Sequence, residues 1–512
     1  MTRVVWVQDR SMCWDQLLLN RLLPDELWHH EIHHPDHDGP EIGGSEGAVV
    51  IVPARFHTAY EVSVMIATLP WVVLVLTSDE ESTFEHDAVN HPNMRVWVMT
   101  PQPGMHAPGP RYLGEGPVDV EALDAMGYPA RHHDVQFAGQ VTHERRHQML
   151  AALEALHGER RLRSGWFTTD GFAQGFDRDE YLQWVAESKI VLAPSGPATP
   201  DSFRLYEALE AGAVPIADGL CPRYPDRGYW DLVYPEGVPF PVVYDWADEL
   251  AKTVDYVLAN WPRLSVRCQA WWIGRKRRLA NDLVADVLEL APTLADPRRS
   301  EITALVPTSP TSGGPEAAFE RLATTIQSVR DRLPDAEIII MCDGVRAEQE
   351  HLRSEYEAYL GRVMWACQHE WANVLPLVFD HHAHQANVTR EALEHVRTPC
   401  VLFIEHDMPL VGEIPFDDLV ELVRSGFANV VRLGQDRERE QYRELMLDQQ
   451  PRTTGHLAGA EVPLVRTVQW SQRPHVASTG FYRQMLGSYF GTQSRTMIED
   501  VMHGVVQNAW HR

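Results

Sequence analysis

The segment SKIVLAPSGPATPDSFRLYEALEAGAVPIADG, residues 188–219, indicates the fold class of the first half of the chain. A continuous apolar run at residues 190–193 predicts a buried strand, a loop of small residues follows, and residues 203–210 have the spacing of a helix. Gly212 can end that helix, and the apolar run at residues 213–217 predicts a second strand. A strand, a crossover helix and a strand in this order are typical of a parallel α/β sheet.

The same alternation of strand-like and helical runs extends through the first 290 residues. A polar span rich in Pro and Gly, residues 101–129, divides it into sub-halves of about 1–130 and 131–295, so we predict two Rossmann-like parallel sheets. Residues 246–290 predict a long amphipathic region that closes this half. The segment APTLADPRRSE, residues 291–301, predicts a linker because two prolines and mixed charge interrupt the periodicity.

A second domain is predicted at residues 300–512, where a new β-α-β pattern begins. Within it, the buried strand of VRTPCVLFIEHDMPL, residues 396–410, ends abruptly at Glu405, His406 and Asp407. Carboxylates are costly to bury alone, so we expect them at the edge of the sheet where open α/β folds bind ligands. A divalent cation is one candidate ligand.

The bulk composition limits the class of protein. The formal net charge of −27 argues against a surface that coats nucleic acid without sequence preference, although a local basic cleft stays possible. Six scattered cysteines without a Cys-x-x-Cys pair argue against a disulfide framework or a structural zinc site. No apolar run approaches the roughly 20 residues that span a bilayer, and the N-terminus lacks the layout of a signal peptide. We therefore expect a cytoplasmic protein without membrane contact.

The loop and helix start at residues 194–207 form the candidate nucleotide site of the first half. Small residues allow close approach of a ligand, and a helix N-terminus attracts the anionic diphosphate of a nucleotide. Arg204 would lie close to such an anion, Glu207 could accept bonds from ribose hydroxyls, and Asp201 or Ser202 could cap the helix. The alternative is an Arg–Glu pair on the helix surface with no ligand. The predicted site residues are Ser195, Gly196, Asp201, Ser202, Arg204 and Glu207.

This segment resembles the donor-binding half of GT-B glycosyltransferases, most closely the exostosin-like group. The resemblance covers about residues 130–220 and includes VQFAGQVTHERRHQML at residues 135–150. It implies a nucleotide-sugar donor, here a UDP-sugar, bound at the six residues just named.

The second half resembles GT-A glycosyltransferases, in which an acidic motif after a strand holds a divalent metal on the donor diphosphate. The resemblance implies that Glu405 and Asp407 bind Mg or Mn, with His503 completing the shell. It also places nucleobase contacts at the end of the first strand and of the second. In TMIEDVMHG, residues 496–504, it implies a general base that deprotonates the acceptor hydroxyl. The remaining implied residues are Pro307, Thr308 and Asp343 for the donor, with Asp500 as the base and Glu499 beside it.

Longer motifs resemble the TET-associated glycosyltransferases of bacteriophages. They include DGVRAEQ at residues 343–349, HHAHQANVTREAL at 381–393 and VRTVQWSQRPHVASTGFYRQML at 465–486. The family is associated with glycosylation of 5-hydroxymethylcytosine in phage DNA, which implies a phage-encoded protein in the host cytoplasm. Gln472, Arg473 and His475 would then border the site. The alternative is that Trp470 and Arg473 brace the core.

We therefore predict an α/β protein with two glycosyltransferase domains. Residues 1–295 form a GT-B-like domain with Rossmann-like parallel sheets, and residues 300–512 form a GT-A-like mixed α/β domain. The predicted acceptor is DNA containing 5-hydroxymethylcytosine, or a sugar already attached to that base. Two alternatives stay open: an enzyme that glycosylates a virion protein or cell-surface glycan, and a single active GT-A domain joined to a scaffold.

Overall fold

A computed structural model gives the architecture of the chain. It divides into two compact units, Met1–Arg298 and Arg299–Arg512, and each is described by itself. Parts of the predicted polar span and linker, residues 102–110, 118–119 and 297–299, lie outside the described residues. The structure describes residues 1–13, 15–79, 81, 83–101, 111–117, 120–159, 162–169, 171, 175–223, 228–296, 300–311, 313–434, 443–448, 452–453, 462–492 and 496–511.

The first sheet of the first unit has six parallel strands in the order β2-β1-β3-β4-β5-β6. Its central strands β3 and β4 are buried throughout, because helices and loops cover both faces of a parallel sheet. The strands are β1 (Thr2–Val7), β2 (Trp28–His33), β3 (Ala48–Pro53), β4 (Val72–Thr77), β5 (Met94–Val98) and β6 (Arg111–Tyr112). The helices are α1 (Gln16–Leu22), α2 (Pro35–Asp38), α3 (Ala59–Ile66) and α4 (Glu121–Asp124).

The second sheet of this unit has five parallel strands in the order β11-β10-β9-β7-β8. The region predicted as one amphipathic run forms two helices, which separate at Pro262 because proline has no N–H to continue a helix. The strands are β7 (His133–Gln140), β8 (Ser164–Thr169), β9 (Ser188–Ala193), β10 (Val214–Asp218) and β11 (Val242–Val243). The helices are α5 (Glu144–Glu159), α6 (Arg178–Ala186), α7 (Phe203–Glu210), α8 (Tyr229–Val233), α9 (Trp246–Ala259) and α10 (Arg263–Leu290).

Helix α10 ties the two sheets of the first unit together. Near its end, Asp286 Oδ2 accepts hydrogen bonds from Trp97 Nε1 at 2.9 Å and Arg111 Nε at 2.9 Å, both from the first sheet. Near its middle, Lys276 Nζ donates to Glu210 Oε1 of α7 at 2.6 Å. One apolar core also runs from the first sheet to the second, so the two sheets pack as one unit.

The second unit contains a mixed six-stranded sheet in the order β14-β13-β12-β15-β19-β16, with β19 antiparallel to both its neighbours. Its strands are β12 (Ile302–Thr308), β13 (Glu337–Cys342), β14 (Val374–Val378), β15 (Cys400–Phe403), β16 (Val430–Arg432) and β19 (His475–Ser478); β17 (Arg452–Thr453) and β18 (Pro463–Leu464) form a separate pair. The helices are α11 (Pro315–Arg330), α12 (Arg353–His369), α13 (Gln385–His395), α14 (Phe416–Arg424), α15 (Thr479–Tyr489) and α16 (Ile498–His511).

The predicted fold class is therefore confirmed: an α/β protein with two Rossmann-like parallel sheets and one mixed sheet. Across the described ranges, no helix is long and apolar enough to cross a membrane. The six cysteines are all buried and free.

Candidate functional site

The loop between β9 and α7, residues 194–202, forms the candidate site of the first unit. Its start is fixed to the neighbouring strand, because Ser195 N donates to Asp218 Oδ2 at 3.4 Å at the end of β10. Asp218 Oδ2 also accepts from Trp246 Nε1 at 3.1 Å. Further along the loop, Gly196 N donates to Asp201 O at 3.3 Å, which closes the turn. The loop is thus held at both ends before any ligand binds.

Three basic side chains gather at this loop. The Ser195 carbonyl oxygen lies 3.0 Å from His143 Nε2 and accepts a hydrogen bond from Arg146 Nε at 3.0 Å. Burial, together with the nearby charge of Arg204, lowers the pKa of Arg146 to about 10. A Cβ at Gly139 would collide with the Arg204 guanidinium, so glycine leaves the room that this side chain occupies. Two cationic groups that repel one another in a partly buried position favour a bound anion.

Several polar atoms around the loop also lack protein partners. Within the part of the chain that the structure describes, Ser195 Oγ, Ser202 Oγ and Arg204 Nε are buried without a hydrogen bond. Ser202 is the N-cap of α7, yet its side chain makes no capping bond. Leaving a buried donor unsatisfied costs about 1–3 kcal/mol, so a ligand that supplies acceptor oxygens would stabilise this arrangement. The donor set and the helix N-terminus fit a diphosphate.

Asp201 and Glu207 have partners that the sequence did not predict. Asp201 is buried and accepts hydrogen bonds from Tyr229 OH at 2.6 Å and Tyr206 OH at 3.0 Å, and burial raises its pKa. Ser202, one of the two predicted caps, is the N-cap residue of α7 by position, but its side chain makes no capping bond to the backbone of the first turn. Glu207 accepts from Arg178 Nη2 at 2.8 Å and Tyr181 OH at 2.7 Å.

Among the described residues, Glu207 pairs with Arg178 and not with Arg204. Glu207 is buried and its ion pair is with Arg178, while the Arg204 guanidinium carbon lies 5.1 Å from the centroid of the Phe137 ring. The surface-pair alternative is thus not supported. A ribose contact by Glu207 stays a prediction, because a carboxylate with two donors retains further acceptor capacity.

In the second unit, Glu405 and Asp407 follow β15 at the carboxyl edge of the sheet. Glu405 is half-buried and Asp407 is exposed. Burial, then repulsion by Asp407 and Glu499, raises the pKa of Glu405 to about 7. The His406 ring between them donates to the Pro307 carbonyl, and burial lowers its pKa. Three carboxylates therefore lie close enough to interact electrostatically at one edge.

The first turn of α16 brings Glu499 towards this edge. Gln472 N donates to Glu499 Oε2 at 3.3 Å, and Gln385 Oε1 at the start of α13 accepts from Ile498 N at 3.0 Å. Asp500, the next residue, is exposed. The structure thus joins Glu499 to the Glu405 cluster, while the role of Asp500 as a base stays a prediction.

Asp343 holds a loop at the same edge. Its carboxylate accepts from Ala383 N at 2.7 Å and His384 N at 3.1 Å, and its Oδ2 lies 2.8 Å from His382 Nδ1. Thr308 is buried, and its Oγ1 lies 2.9 Å from Tyr359 OH. Contacts of Pro307, Thr308 and Asp343 with a nucleobase stay predictions.

His475 belongs to the core of the second unit. It stacks on Phe403 with ring centroids 5.4 Å apart, and its nitrogens lie 2.7 Å from Tyr482 OH and 2.8 Å from the Arg473 carbonyl oxygen. Burial lowers its pKa to about 4, so the ring is neutral at physiological pH. The Trp470 ring packs against it at 5.8 Å. These contacts favour the bracing alternative for Trp470 and place His475 in the core as well, whereas Arg473 is half-buried.

The residues at this edge can be tested against the predicted metal. Carboxylate oxygens suit Mg²⁺ or Mn²⁺, and a cation would offset the repulsion that raises the pKa of Glu405. Over the described residues, no three or more His, Cys, Asp or Glu side chains are arranged to hold a metal, and completion of a metal shell by His503 stays a prediction. Magnesium is commonly bound through one or two carboxylates plus substrate phosphates, and Glu405 with Asp407 fits that mode.

Sequence reasoning missed several residues at these sites, among them His143, Arg146 and Gln385. His143 and Arg146 lie three residues apart in HERR, a spacing that places both on one helix face, and this signal was available. Gln385 gave no signal, because its contact with the start of α16 joins residues more than a hundred positions apart.

Comparison with known proteins gives one family match. Residues 119–274 match the family model of the RXYLT1 C-terminal domain, a glycosyltransferase-related family. The match covers less than a third of the chain and includes β7, α5, β9 and α7. These residues therefore carry a glycosyltransferase-like domain. No curated protein is significantly similar in sequence to the chain.

The similar solved structures are distant. Anabaena Alr3699/HepE in complex with UDP and glucose has 12% identity and a TM-score of 0.35, over 56% of this chain and 100% of that one. The same protein with UDP-glucose has 11% identity and a TM-score of 0.33 over the same shares. Bifunctional IspDF from Campylobacter jejuni has 11% identity and a TM-score of 0.22 over 41% of this chain, which spans about half (47%) of that protein. TM-scores at this level assign neither fold nor ligand.

Proposed function

We propose that the protein is a glycosyltransferase that uses a nucleotide sugar, namely a UDP-sugar, as donor. The observation that carries the proposal is the set of buried, unpartnered polar atoms on Ser195, Ser202 and Arg204 beside Arg146. It lies within the residues that match a glycosyltransferase-related family. An anionic diphosphate would supply acceptor oxygens for these donors and negative charge beside the two arginines.

In the first unit, Arg146 and Arg204 would bind the diphosphate and stabilise the charge that develops on the departing nucleotide. The hydroxyls of Ser195 and Ser202 would donate to its oxygens, and Gly196 would allow close approach. Glu207 would accept bonds from the ribose hydroxyls.

In the second unit, Glu405 and Asp407 would bind the donor diphosphate together with Mn or Mg, with Glu499 beside them. The metal would supply Lewis-acid stabilisation of the leaving nucleotide. Asp500 would take the proton of the acceptor hydroxyl, and inversion at the sugar carbon would follow. Pro307, Thr308 and Asp343 would contact the nucleobase, and Arg473 would contact a donor phosphate or an extruded base.

For the acceptor, we propose 5-hydroxymethylcytosine in DNA, or a sugar on it, modified by a phage-encoded enzyme in the host cytoplasm. The resemblance of residues 302–507 to TET-associated glycosyltransferases supports this acceptor. The net charge of −27 favours the second candidate, a virion protein or a cell-surface glycan, because DNA binding needs basic contacts.

The test is incubation of the full chain with a panel of nucleotide sugars and with hydroxymethylated DNA, unmodified DNA, or protein and glycan acceptors. Mass spectrometry of the nucleosides is expected to show a hexose or pentose adduct only with hydroxymethylated DNA. Transfer to protein or glycan alone would favour the second candidate. The proposed function would be contradicted if the chain transferred sugar to none of the acceptors and bound none of the nucleotide sugars.

A further inference from the structure

The segment Gly114-Glu115-Gly116 of the first sheet has an unusual backbone. It follows β6, and Gly114 and Gly116 have φ angles of +84° and +67°, which favour glycine. A Cβ at Gly114 would lie 2.5 Å from the hydroxyl oxygen of Tyr206 and 2.7 Å from that of Tyr234. Tyr206 is in α7 and Tyr234 directly follows α8, two helices that belong with the second sheet. The two glycines therefore let the chain approach the second sheet closely and direct the residue between them.

Glu115 reaches the candidate donor loop from the first sheet. Thr199 Oγ1 of that loop donates to Glu115 Oε1 at 3.1 Å, and Glu115 N lies 3.4 Å from Asp201 Oδ2. Glu115 is 4% exposed and Thr199 is 1% exposed, so the contact is shielded from water. The hydrogen bond joins a strand end of one sheet to the loop of the other.

The charge of Glu115 acts on the same loop. Among the groups that interact with Arg146, Glu115 is an acid that opposes the effect of burial and of Arg204 on its pKa. Arg146 in turn donates to the Ser195 carbonyl. One carboxylate therefore holds the loop through Thr199 and offsets part of the positive charge at the anion site.

We infer that Glu115, contributed by the segment after β6 of the first sheet, is a positioning residue of the proposed donor site. It holds the loop in place through Thr199, and it lowers the net positive charge that a bound nucleoside diphosphate meets. The inference rests on the proposed donor site. A site with two arginines and no carboxylate would hold the product nucleoside diphosphate more tightly, and release would slow. Glu115 limits that affinity while it keeps the loop in place.

Two substitutions separate the effects. Glu115→Gln keeps an oxygen that can accept from Thr199 but removes the charge, so the dissociation constant for UDP should fall about three- to tenfold. Thr199→Val keeps shape and charge but removes the hydrogen bonds of the hydroxyl to Glu115 and to the Asp201 carbonyl oxygen, so the dissociation constant should rise about threefold or more. A purely structural role of Glu115 would weaken binding in both variants. Glu41→Gln removes an equal charge from an exposed position of the first unit and is the control.

The measurement is calorimetric titration of the full chain with UDP and with inorganic pyrophosphate in excess chelator, which removes metal-dependent binding by the second unit. The melting temperature is a check of folding. Opposite changes in Glu115→Gln and Thr199→Val, with none in Glu41→Gln, support the inference. Weaker or unchanged binding by Glu115→Gln overturns it and leaves the proposed function standing. If pyrophosphate binds with these opposite changes but no nucleotide does, the positioning role stands and the proposed function fails. Binding of neither overturns both.

Should Glu115→Gln not fold, Glu115→Asp keeps the charge and shortens the side chain by one methylene. It should weaken pyrophosphate binding about as much as Thr199→Val, because the reach to Thr199 is lost. Unchanged binding by a folded Glu115→Asp would overturn the inference.

Discussion

Arg204 is the residue on which the proposed donor site of the first unit most depends. Its guanidinium lies in the first turn of α7, beside Gly139 and over the Phe137 ring, and its Nε has no protein acceptor among the described residues. Arg204→Gln should raise the dissociation constant for UDP by about 10-fold or more, since a charge-assisted hydrogen bond contributes roughly 1.5–3 kcal/mol. Arg163→Gln, which removes an exposed arginine paired with Asp134, should leave UDP binding unchanged. Equal effects of the two changes in a binding titration would contradict the role of Arg204.

The raised pKa of Glu405 predicts how the free energy of unfolding depends on pH. Its pKa rises from the ordinary 4.5 to about 7, so the folded chain binds more protons than the unfolded chain between these values. Stability from this group is present below pH 4.5 and is lost as the pH rises through 7. Glu405→Gln should therefore raise the free energy of unfolding at pH 8 by on the order of 1–2 kcal/mol, after allowance for solvent screening.

Denaturant unfolding at pH 5 and pH 8 measures this difference. The increase in the free energy of unfolding caused by Glu405→Gln at pH 8 should be smaller at pH 5. If Glu405 and Asp407 bind Mg²⁺, the ion should stabilise the wild-type protein more at pH 8 than at pH 5. A Glu405→Gln variant with the same stability as wild type at pH 8 would contradict the raised pKa of Glu405.

Glu499 and Asp500 should respond differently to loss of charge. Glu499 interacts with Glu405 and accepts from Gln472 N, so Glu499→Gln should weaken metal-dependent donor binding. Asp500 is exposed on the neighbouring position, so Asp500→Asn should leave donor binding intact and lower turnover by about 10²-fold or more. Separate measurement of donor affinity and turnover decides, and the reverse pattern would exchange the two roles.

At the scale of elements, sequence reasoning works where burial is two-sided and fails where it is not. The runs that became β3, β4, β9 and β15 are continuous and apolar because helices or loops cover both faces, and they were predicted. Strand β2, WHHEIH, carries polar residues on both faces at an edge of the first sheet. Backbone hydrogen bonds to β1 hold this strand in the sheet. Its sequence has no hydrophobic periodicity that would predict a strand.

The candidate sites were also predictable only in part. Glu405, Asp407 and the loop at residues 194–202 were predicted because a buried strand ends at each. Other residues near the two sites were not predictable. Glu115, Gln385 and Arg178 contact Thr199, Ile498 and Glu207, respectively, through tertiary interactions. Composition and spacing carry no information about such contacts.

Helix α11 holds the segment that follows β15. Ser328 Oγ accepts from Leu410 N at 2.9 Å, and Thr325 Oγ1 donates to the His406 carbonyl oxygen at 2.9 Å. Ser328→Ala leaves the buried Leu410 N–H without that acceptor, so the free energy of unfolding should fall by about 1–3 kcal/mol. Thr324→Ala, on the exposed face of the same helix, should change it by less than about 0.5 kcal/mol. Denaturant unfolding compares the two, and equal losses would exclude a specific role for the Ser328 bond.

At the scale of the whole molecule, each unit contains its own candidate donor site. The first unit offers Arg146, Arg204 and the hydroxyls of Ser195 and Ser202, which have no partner among the described residues, whereas the second offers carboxylates after β15. A site built from cations binds a diphosphate directly, and a site built from carboxylates needs a metal between itself and the same group. The two units therefore differ in what a chelator should do. Chelation should abolish transfer by the second unit and spare UDP binding by the first.

This chemical difference allows the division of labour to be tested. The simplest use of two donor sites is sequential: the second unit, which carries the motifs resembling the DNA-modifying family, adds the first sugar, and the first unit extends it. Glu207→Ala would disable only the proposed donor site of the first unit, so reaction should stop at a singly glycosylated nucleoside. Asp500→Asn should leave the starting base unmodified, because no first sugar would be present to extend.

Mass spectrometry of nucleosides from the two variants separates the possible orders. An unchanged product with Glu207→Ala would make the first unit a scaffold. Loss of all product with that variant would mean that the first unit acts first or that the two units depend on each other. Because Glu207 is buried and paired with Arg178, Arg178→Gln serves as the matched variant. It removes the same ion pair but keeps the carboxylate, so it should retain extension if the ribose contact is what matters.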